Sequence, residues 1–236
     1  MIEIPLWRLA LSLLPLLVVG WIFFRWGGRS GEFAIATARM VVQLLLVGYL
    51  LVLLFEIESP WVSLGIVSFM IAVSSWIAIR TVKERRLQVY EDALLAIGLG
   101  GGAVFALVLF GVLALDPWYE ARYVIPLAGM IFANAMTAVT LSAERFEAER
   151  RGGSDVVNAR NTAWNAALIP QVNSFLAVGL VSLPGMMTGQ ILANADPLEA
   201  VRYQIMVMAM VMGSAGLAVA VFLVRRVRSE ERVQRE

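Results

Sequence analysis

The residues best suited to chemistry in this sequence are neutral polar side chains inside long apolar segments. The stretch SLPGMMTGQ, at residues 182–190, contains Pro184 and Gly185, which weaken a helix, followed by Thr188 and Gln190. Irregular backbone at membrane depth is tolerated where it is buried in protein or lines a cavity, and broken helices often form transport sites. The stretch therefore predicts either an interruption that lines a pathway or a kink that helix packing tolerates.

A second polar group lies in the segment GMIFANAMTAVTLSAERF. Asn134, Thr137 and Thr140 recur every three residues, which places them on one face of a helix. A polar side chain in lipid requires a hydrogen-bond partner or a water-lined path. The two interpretations are pathway lining and hydrogen bonding between helices, which contributes about 0.6–2 kcal/mol. We predict pathway lining by Asn134, Thr137, Pro184, Gly185, Met187, Thr188 and Gln190.

Composition excludes several classes of chemistry. The chain has no cysteine and no histidine, which removes thiolate nucleophiles, imidazole ligands and histidine acid–base catalysis. Lys83 is the only lysine and lies in a basic loop, which excludes a retinal Schiff base within the membrane. We predict no catalytic residue, no cofactor and no enzyme activity, and the sequence identifies no set of metal ligands.

Two further patterns predict packing. The glycine-rich stretch GLGGGAV at residues 98–104 is not followed by Lys-Ser or Lys-Thr, so it is no phosphate-binding loop. Small residues of this kind let helices approach closely in lipid. Methionines recur every two residues over 206–212, which scatters them around a helix and predicts flexible packing rather than a soft-metal site.

The chain consists largely of apolar blocks of about 20 residues. A helix of this length crosses a lipid bilayer. Hydrophobic residues make up 60% of the sequence, more than is usual in a soluble domain. We predict an all-α membrane protein with about seven transmembrane helices, in a single polytopic domain over residues 1–236. The predicted blocks are 5–24, 39–55, 61–79, 93–115, 124–141, 172–193 and 204–224.

The basic residues indicate the orientation. Of the 19 lysines and arginines, sixteen fall in alternate loops, and only Arg8, Arg122 and Arg202 fall on the other side. Because cytoplasmic loops are enriched in basic residues, we expect the N-terminus outside and the C-terminus inside. The largest inside loop covers about residues 142–171. Its charge alone leaves open a solvated loop or a docking helix for a cytoplasmic partner.

Several stretches together resemble the membrane-spanning subunits of ABC transporters of the FetB type. They are RMVVQLLLVGYLL at 39–51, IPLAGMIFANAM at 125–136 and the long segment from Ala166 to Val207. Bacterial members are described as iron exporters, and plant relatives are linked to aluminium tolerance. The resemblance covers about residues 36–225. It implies a multi-pass permease of the bacterial inner membrane that pairs with a separate cytoplasmic ATPase.

The resemblance extends to a cytoplasmic arm similar to the Glu-Ala-Ala-x-x-x-Gly loop of ABC importers. Glu147, Ala148 and Gly153 fit its spacing, and the resemblance implies that they contact the ATPase. The stretch after Gly153 is about four residues shorter than in relatives, close to one helical turn. The chain also has Ala133 and Asn194 at positions where the family usually has glycine.

The leading hypothesis is the permease subunit of an ABC transporter that exports an iron-like metal ion or a metal complex. A second copy of the chain, the ATPase and the lipid bilayer are the expected partners, and no nucleic acid is expected. The alternatives are an ATP-independent channel or secondary carrier, and a membrane scaffold that transports nothing. An ion-coupled carrier would hold an ionisable residue within its spans, and the middles of these spans lack one.

Reporter fusions test the orientation. Fusions after Arg86 and after Arg226 are expected to report a cytoplasmic position, because both follow the basic loops assigned to the inside. A fusion near Glu58 is expected to report an external position. A cytoplasmic report near Glu58 would contradict the predicted number of spans.

Overall fold

The computed structural model describes residues 5–28, 30–82 and 86–233, and no β-strand occurs among them. The helices are α1 (Leu6–Ser12), α2 (Leu14–Arg25), α3 (Ser30–Leu54), α4 (Pro60–Ala78), α5 (Arg86–Ala96), α6 (Gly102–Ala106), α7 (Ala121–Arg151), α8 (Val156–Ala177), α9 (Gly185–Leu192) and α10 (Pro197–Val233). Two π-helical stretches, Ile97–Gly101 and Leu107–Val112, lie on either side of α6. Together with α5 and α6 they form one continuous helical region, which we call the 86–112 segment.

Within the described residues, six helical regions are long and apolar enough to cross a membrane. They coincide with six of the seven predicted blocks, and the predicted all-α membrane fold is confirmed. The remaining block, 172–193, is not one helix, because it holds the end of α8, a turn and α9. The inside and outside assignment of the loops stays a prediction.

The chain divides into two compact units, residues 1–57 and 58–236. In the first unit α2 packs on α3, and the rings of Phe23 and Phe33 stack with their centroids 5.1 Å apart. The first unit also contains α1, and the second unit contains α4 to α10 and every predicted site residue. That the whole chain forms a single membrane domain stays a prediction.

Helix α10 is the centre of the second unit, where it contacts α5, the first π-helical stretch, α6, α7, α8 and α9. It runs antiparallel to the 86–112 segment, since Gln88 Nε2 donates to Ser229 Oγ at 2.9 Å while Gly100 lies against Ala218. A Cβ atom at Gly100 would lie 2.5 Å from the Ala218 nitrogen. Only glycine allows this approach, so the glycine-rich stretch is a packing site, as the sequence predicts.

Small residues also position α8. Ala159, Ala163 and Ala167 recur every four residues and are fully buried. Residues at this spacing lie on one face of a helix, and α8 contacts both α7 and α10. The short side chains allow close packing on these neighbours, which leaves the polar residues Asn158, Asn161 and Asn165 on the exposed side.

Replacing Gly100 with alanine is expected to lower the thermal stability of the purified protein, because the new methyl group would overlap the backbone of α10. Overpacking of this kind costs about 1–3 kcal/mol. Gly102→Ala is the matched control, because nothing lies within 4 Å of a Cβ atom at Gly102 and alanine favours a helix. Thermal unfolding in detergent measures both variants, and equal midpoints would show that the approach to α10 is not tight.

Candidate functional site

The predicted interruption is a turn between two separate helices. Helix α8 ends at Ala177, and Pro184 is the last residue before α9. Between them Gly179 has φ +79°, in the region that favours glycine, and the backbone N–H groups of Val181 and Ser182 both donate to the Ala177 oxygen. We call residues 178–184 the helix break. The chain therefore forms two separate helices here and not one continuous helix with a kink.

A cavity of about 440 Å³ lies between the helix break and α10. The side of the break contributes Phe175, Val178, Gly179, Leu183, Pro184 and Met187, and α10 contributes Val201, Gln204, Ile205, Met208 and Ala209. None of these lining residues is charged. The cavity is therefore an apolar site that offers two thioethers and one amide, and its volume is in the range of small-molecule sites.

The predicted pathway residues of the helix break and α9 divide into two groups. Pro184 and Met187 line the cavity, whereas Gly185, Thr188 and Gln190 lie on α9 outside its lining. Thr188 Oγ1 donates to the Pro184 oxygen at 3.2 Å and so closes the first turn of α9. Gln190 Oε1 is buried without a hydrogen-bond partner in the part of the chain that the structure describes. The structure thus brings only two of these residues into one cavity.

The polar residues of α7 do not join this cavity. Asn134 Nδ2 donates to the Met130 oxygen at 2.8 Å, and Thr137 Oγ1 donates to the Ala133 oxygen at 3.0 Å. Both side chains therefore form hydrogen bonds within their own helix. This does not support the interpretation that they form hydrogen bonds between helices. Asn134 is half-buried and Thr137 is exposed, so this polar face points away from the core of the second unit.

The sequence analysis predicted none of the five cavity residues on α10, and two of these, Gln204 and Met208, carry a polar or sulfur-containing side chain. Met208 lines the cavity, whereas Met210, two residues later, is buried at 2% exposure. Gln204 is also buried, and its Oε1 has no partner among the described residues. A glutamine inside an apolar span was the available signal, because such residues are costly in lipid and mark functional sites.

Helices α7 and α8 are joined by residues 152–155, which we call the α7–α8 turn and which lie in the predicted cytoplasmic loop. Gly153 has φ +85°, its N–H donates to the Arg150 oxygen, and Ser154 N–H donates to the Glu149 oxygen. These bonds form a Schellman motif, which ends a helix with glycine in the left-handed region. Gly153 therefore has a structural reason to be glycine, and its predicted contact with an ATPase stays a prediction.

Asp155 starts α8 directly after this turn. Its Oδ1 atom accepts hydrogen bonds from the backbone N–H groups of Val157 and Asn158, both at 2.9 Å, as an N-cap residue does. These bonds, above all the one from the Asn158 N–H, lower the pKa of the Asp155 carboxyl below its ordinary value. The charged, capped form is therefore kept at neutral pH, and the turn has a defined end on both sides.

The sequence profile of one protein family matches residues 6–160 and 153–229 of this chain. The chain belongs to UPF0014, described as an uncharacterised protein family. It is 35% identical to "Probable iron export permease protein FetB" of Escherichia coli K12, over 78% of this chain and 75% of that protein. It is 33% identical to "UPF0014 membrane protein YjkA" of Bacillus subtilis, over 92% of each, and 31% identical to "Protein ALUMINUM SENSITIVE 3" of Arabidopsis thaliana, over 79% of this chain and 72% of that protein. No solved structure matches the chain.

These similarities confirm the FetB-type resemblance and identify a multi-pass membrane protein of a permease family. The two matched ranges overlap at residues 153–160, where the α7–α8 turn leads into α8. The match to the UPF0014 profile therefore consists of two parts, which meet in the cytoplasmic arm. This arm is the segment that the sequence analysis predicts to be about four residues shorter than in relatives. Among the described residues, no group of three or more acidic side chains could hold a metal ion.

Cysteine labelling tests whether the cavity opens to water. The chain has no cysteine, so Met208→Cys and Met210→Cys each introduce a single thiol. We expect a small thiol reagent to react faster with Met208→Cys, because Met208 lines the cavity and Met210 is buried two residues further along the same helix. Equal and negligible rates would show that water does not enter, and would contradict pathway lining by the helix break.

Proposed function

We propose that this UPF0014 protein is the membrane-spanning subunit of an ABC transporter that exports an iron-like metal ion or a metal complex. The observation that carries the proposal is its 35% identity, over 78% of the chain, to a protein named for iron export. The glycine-rich stretch lacks the Lys-Ser or Lys-Thr of a phosphate-binding loop, so a separate polypeptide would hydrolyse the ATP. Export is the direction that the name of this relative supports.

A second copy of the chain would complete the pathway. Asn134 and Thr137 lie on a face of α7 that points away from the core, and polar groups that face lipid are costly. Contact with a second copy, or with water between two copies, would satisfy the hydrogen-bond capacity of Asn134 that its own helix leaves unused. The helix break and its cavity supply an irregular segment of the kind that forms transport sites.

The α7–α8 turn is the proposed docking surface for the ATPase. Helix α7 has 31 residues, which makes it about 46 Å long, whereas the hydrocarbon core of a bilayer is about 30 Å thick. Its last turns, with Glu147 and Ala148, therefore extend beyond the apolar layer. Ala148 and Gly153 are exposed, and the first half of α8 presents asparagines, so this projecting helical arm has a polar surface that suits a soluble partner.

Copurification with an ATPase tests the proposal. Gly153→Trp is expected to reduce recovery of the ATPase, because it places a bulky side chain on the docking surface, and Glu147→Arg is expected to do so by reversing a charge. Gly153→Asn is the matched control, because asparagine tolerates a positive φ and adds little bulk. Metal export from inverted vesicles and membrane insertion are measured in parallel. Unchanged recovery of the ATPase with both Gly153→Trp and Glu147→Arg would contradict docking at this turn.

A further inference from the structure

One guanidinium group joins the α7–α8 turn to α10. Arg150, in the last turn of α7, donates from Nη1 to the backbone oxygen of Ser154 at 2.7 Å. Its Nη2 atom lies 3.4 Å from Oε2 of Glu230 on α10. Ser154 directly follows Gly153, so the backbone of the turn is connected to α10 through a single side chain.

The same carboxylate is shared with a second arginine. Arg226, one helical turn before Glu230 on α10, has its Nη2 atom 3.9 Å from Oε1 of Glu230. The Arg226 side chain is 8% exposed, and those of Arg150 and Glu230 are about one quarter exposed. Partly buried charges are screened less by water and salt than charges on an open surface. Water and salt therefore weaken the electrostatic attraction in this cluster less than that of a fully exposed ion pair.

The cluster also retains unused hydrogen-bond capacity. Arg150 Nε and Arg226 Nη1 are buried and have no partner in the described part of the chain. Buried polar groups are normally paired, and exceptions call for an explanation such as a functional role. These two N–H groups are donors that the present contacts of Glu230 do not use.

Helix α10 extends without interruption from this cluster to the cavity. It is a single helix from Pro197 to Val233, and Glu230 lies about 33 Å along the axis from Met208. Gln204 and Met208 form part of the cavity wall. A displacement of the C-terminal end of α10 along its axis would therefore move this wall relative to the helix break.

We propose that Arg150 and Glu230 are positioning residues that couple the α7–α8 turn to the cavity wall on α10. The inference rests on the proposed function, because this turn is the proposed docking surface of the ATPase. Movement of the turn displaces Ser154 and Arg150, and the contact with Glu230 passes the displacement to α10. Neither Arg150 nor Glu230 lines the cavity, so both act through α10.

A second ion pair on α10 provides the matched control. Arg225 Nε lies 2.6 Å from Oδ1 of Asp92, whose side chain is 4% exposed. This pair joins α10 to the 86–112 segment, and among the described residues no hydrogen bond or ion pair joins it to the α7–α8 turn. Its loss is expected to weaken the packing of α10 and to leave the connection through Arg150 and Glu230 in place.

The test uses the full chain with the ATPase that copurifies with it, in liposomes, and Met208→Cys as the reporter. ATP is expected to change the labelling rate of this cysteine. Glu230→Gln, which keeps the shape and removes the charge, is expected to bring the ratio of rates with and without ATP to about one, while ATPase recovery and ATP hydrolysis persist. Asp92→Asn is expected to lower the thermal midpoint and keep the ratio.

The outcomes separate this inference from the proposed function. A Glu230→Gln variant that keeps the ATP-dependent ratio would overturn the coupling and leave the proposed function standing. Loss of the ratio in Asp92→Asn as well would assign the effect to the stability of α10 and would also overturn it. Failure of the unmodified chain to bind any ATPase would instead overturn the proposed function.

A second measurement decides the coupling without an ATPase. Gly153→Trp strains the α7–α8 turn, because Gly153 has φ +85° and a side chain is disfavoured there. In the isolated chain that carries Met208→Cys, Gly153→Trp is expected to alter the labelling rate of the cysteine when Glu230 is present. In the same chain with Glu230→Gln, Gly153→Trp is expected to leave the labelling rate unchanged. The same response in both backgrounds would show that the displacement does not pass through Glu230.

Discussion

The close contact between Gly100 and Ala218 is the constraint on which the second unit depends. A Cβ atom on Gly100 would lie 2.5 Å from a backbone nitrogen of α10, and Gly213 of α10 packs beside Val104 further along the same contact. Lipid provides no hydrophobic force between helices, so close packing of their backbones holds them together. Once α10 lies on the 86–112 segment, α7 and α8 also pack on it. The cavity and the α7–α8 turn then take their positions from the same helix.

Polar contacts near the C-terminal end of α10 determine its register against the 86–112 segment. Small residues alone would allow more than one register. The pairs Gln88–Ser229 and Asp92–Arg225 lie four residues apart on each helix, so both form in only one register. A slip by one helical turn would leave Asp92, whose side chain is 4% exposed, as a buried charge without its partner, which is strongly destabilising. The same register determines which side of α10 faces the helix break. Apolar packing thus sets how closely the helices approach, and the ion pair sets their relative depth.

The spans and the helix break differ in how far sequence alone predicts them. Hydropathy locates the spans because it averages over the roughly 20 residues that cross a bilayer. The same averaging hides the break inside block 172–193, which depends on single residues, Gly179 with its positive φ and Pro184 before α9. Pro184 and Met187 were predictable as cavity residues because they belong to that irregular stretch. Met208 was not, because the face of α10 that meets the break depends on contacts between residues remote in the sequence.

The composition of the cavity limits the chemical form in which the proposed exporter would transport a metal. Its lining residues carry no charge, and their only polar or sulfur-containing side chains are Gln204, Met187 and Met208. Protein sites for iron usually use imidazole, carboxylate or thiolate ligands, and an unpaired charge in an apolar site is costly. Under the proposed function, the metal would pass this cavity as a complex that brings its own ligands and neutralises its charge. The volume of about 440 Å³ is large enough for a complex of this kind.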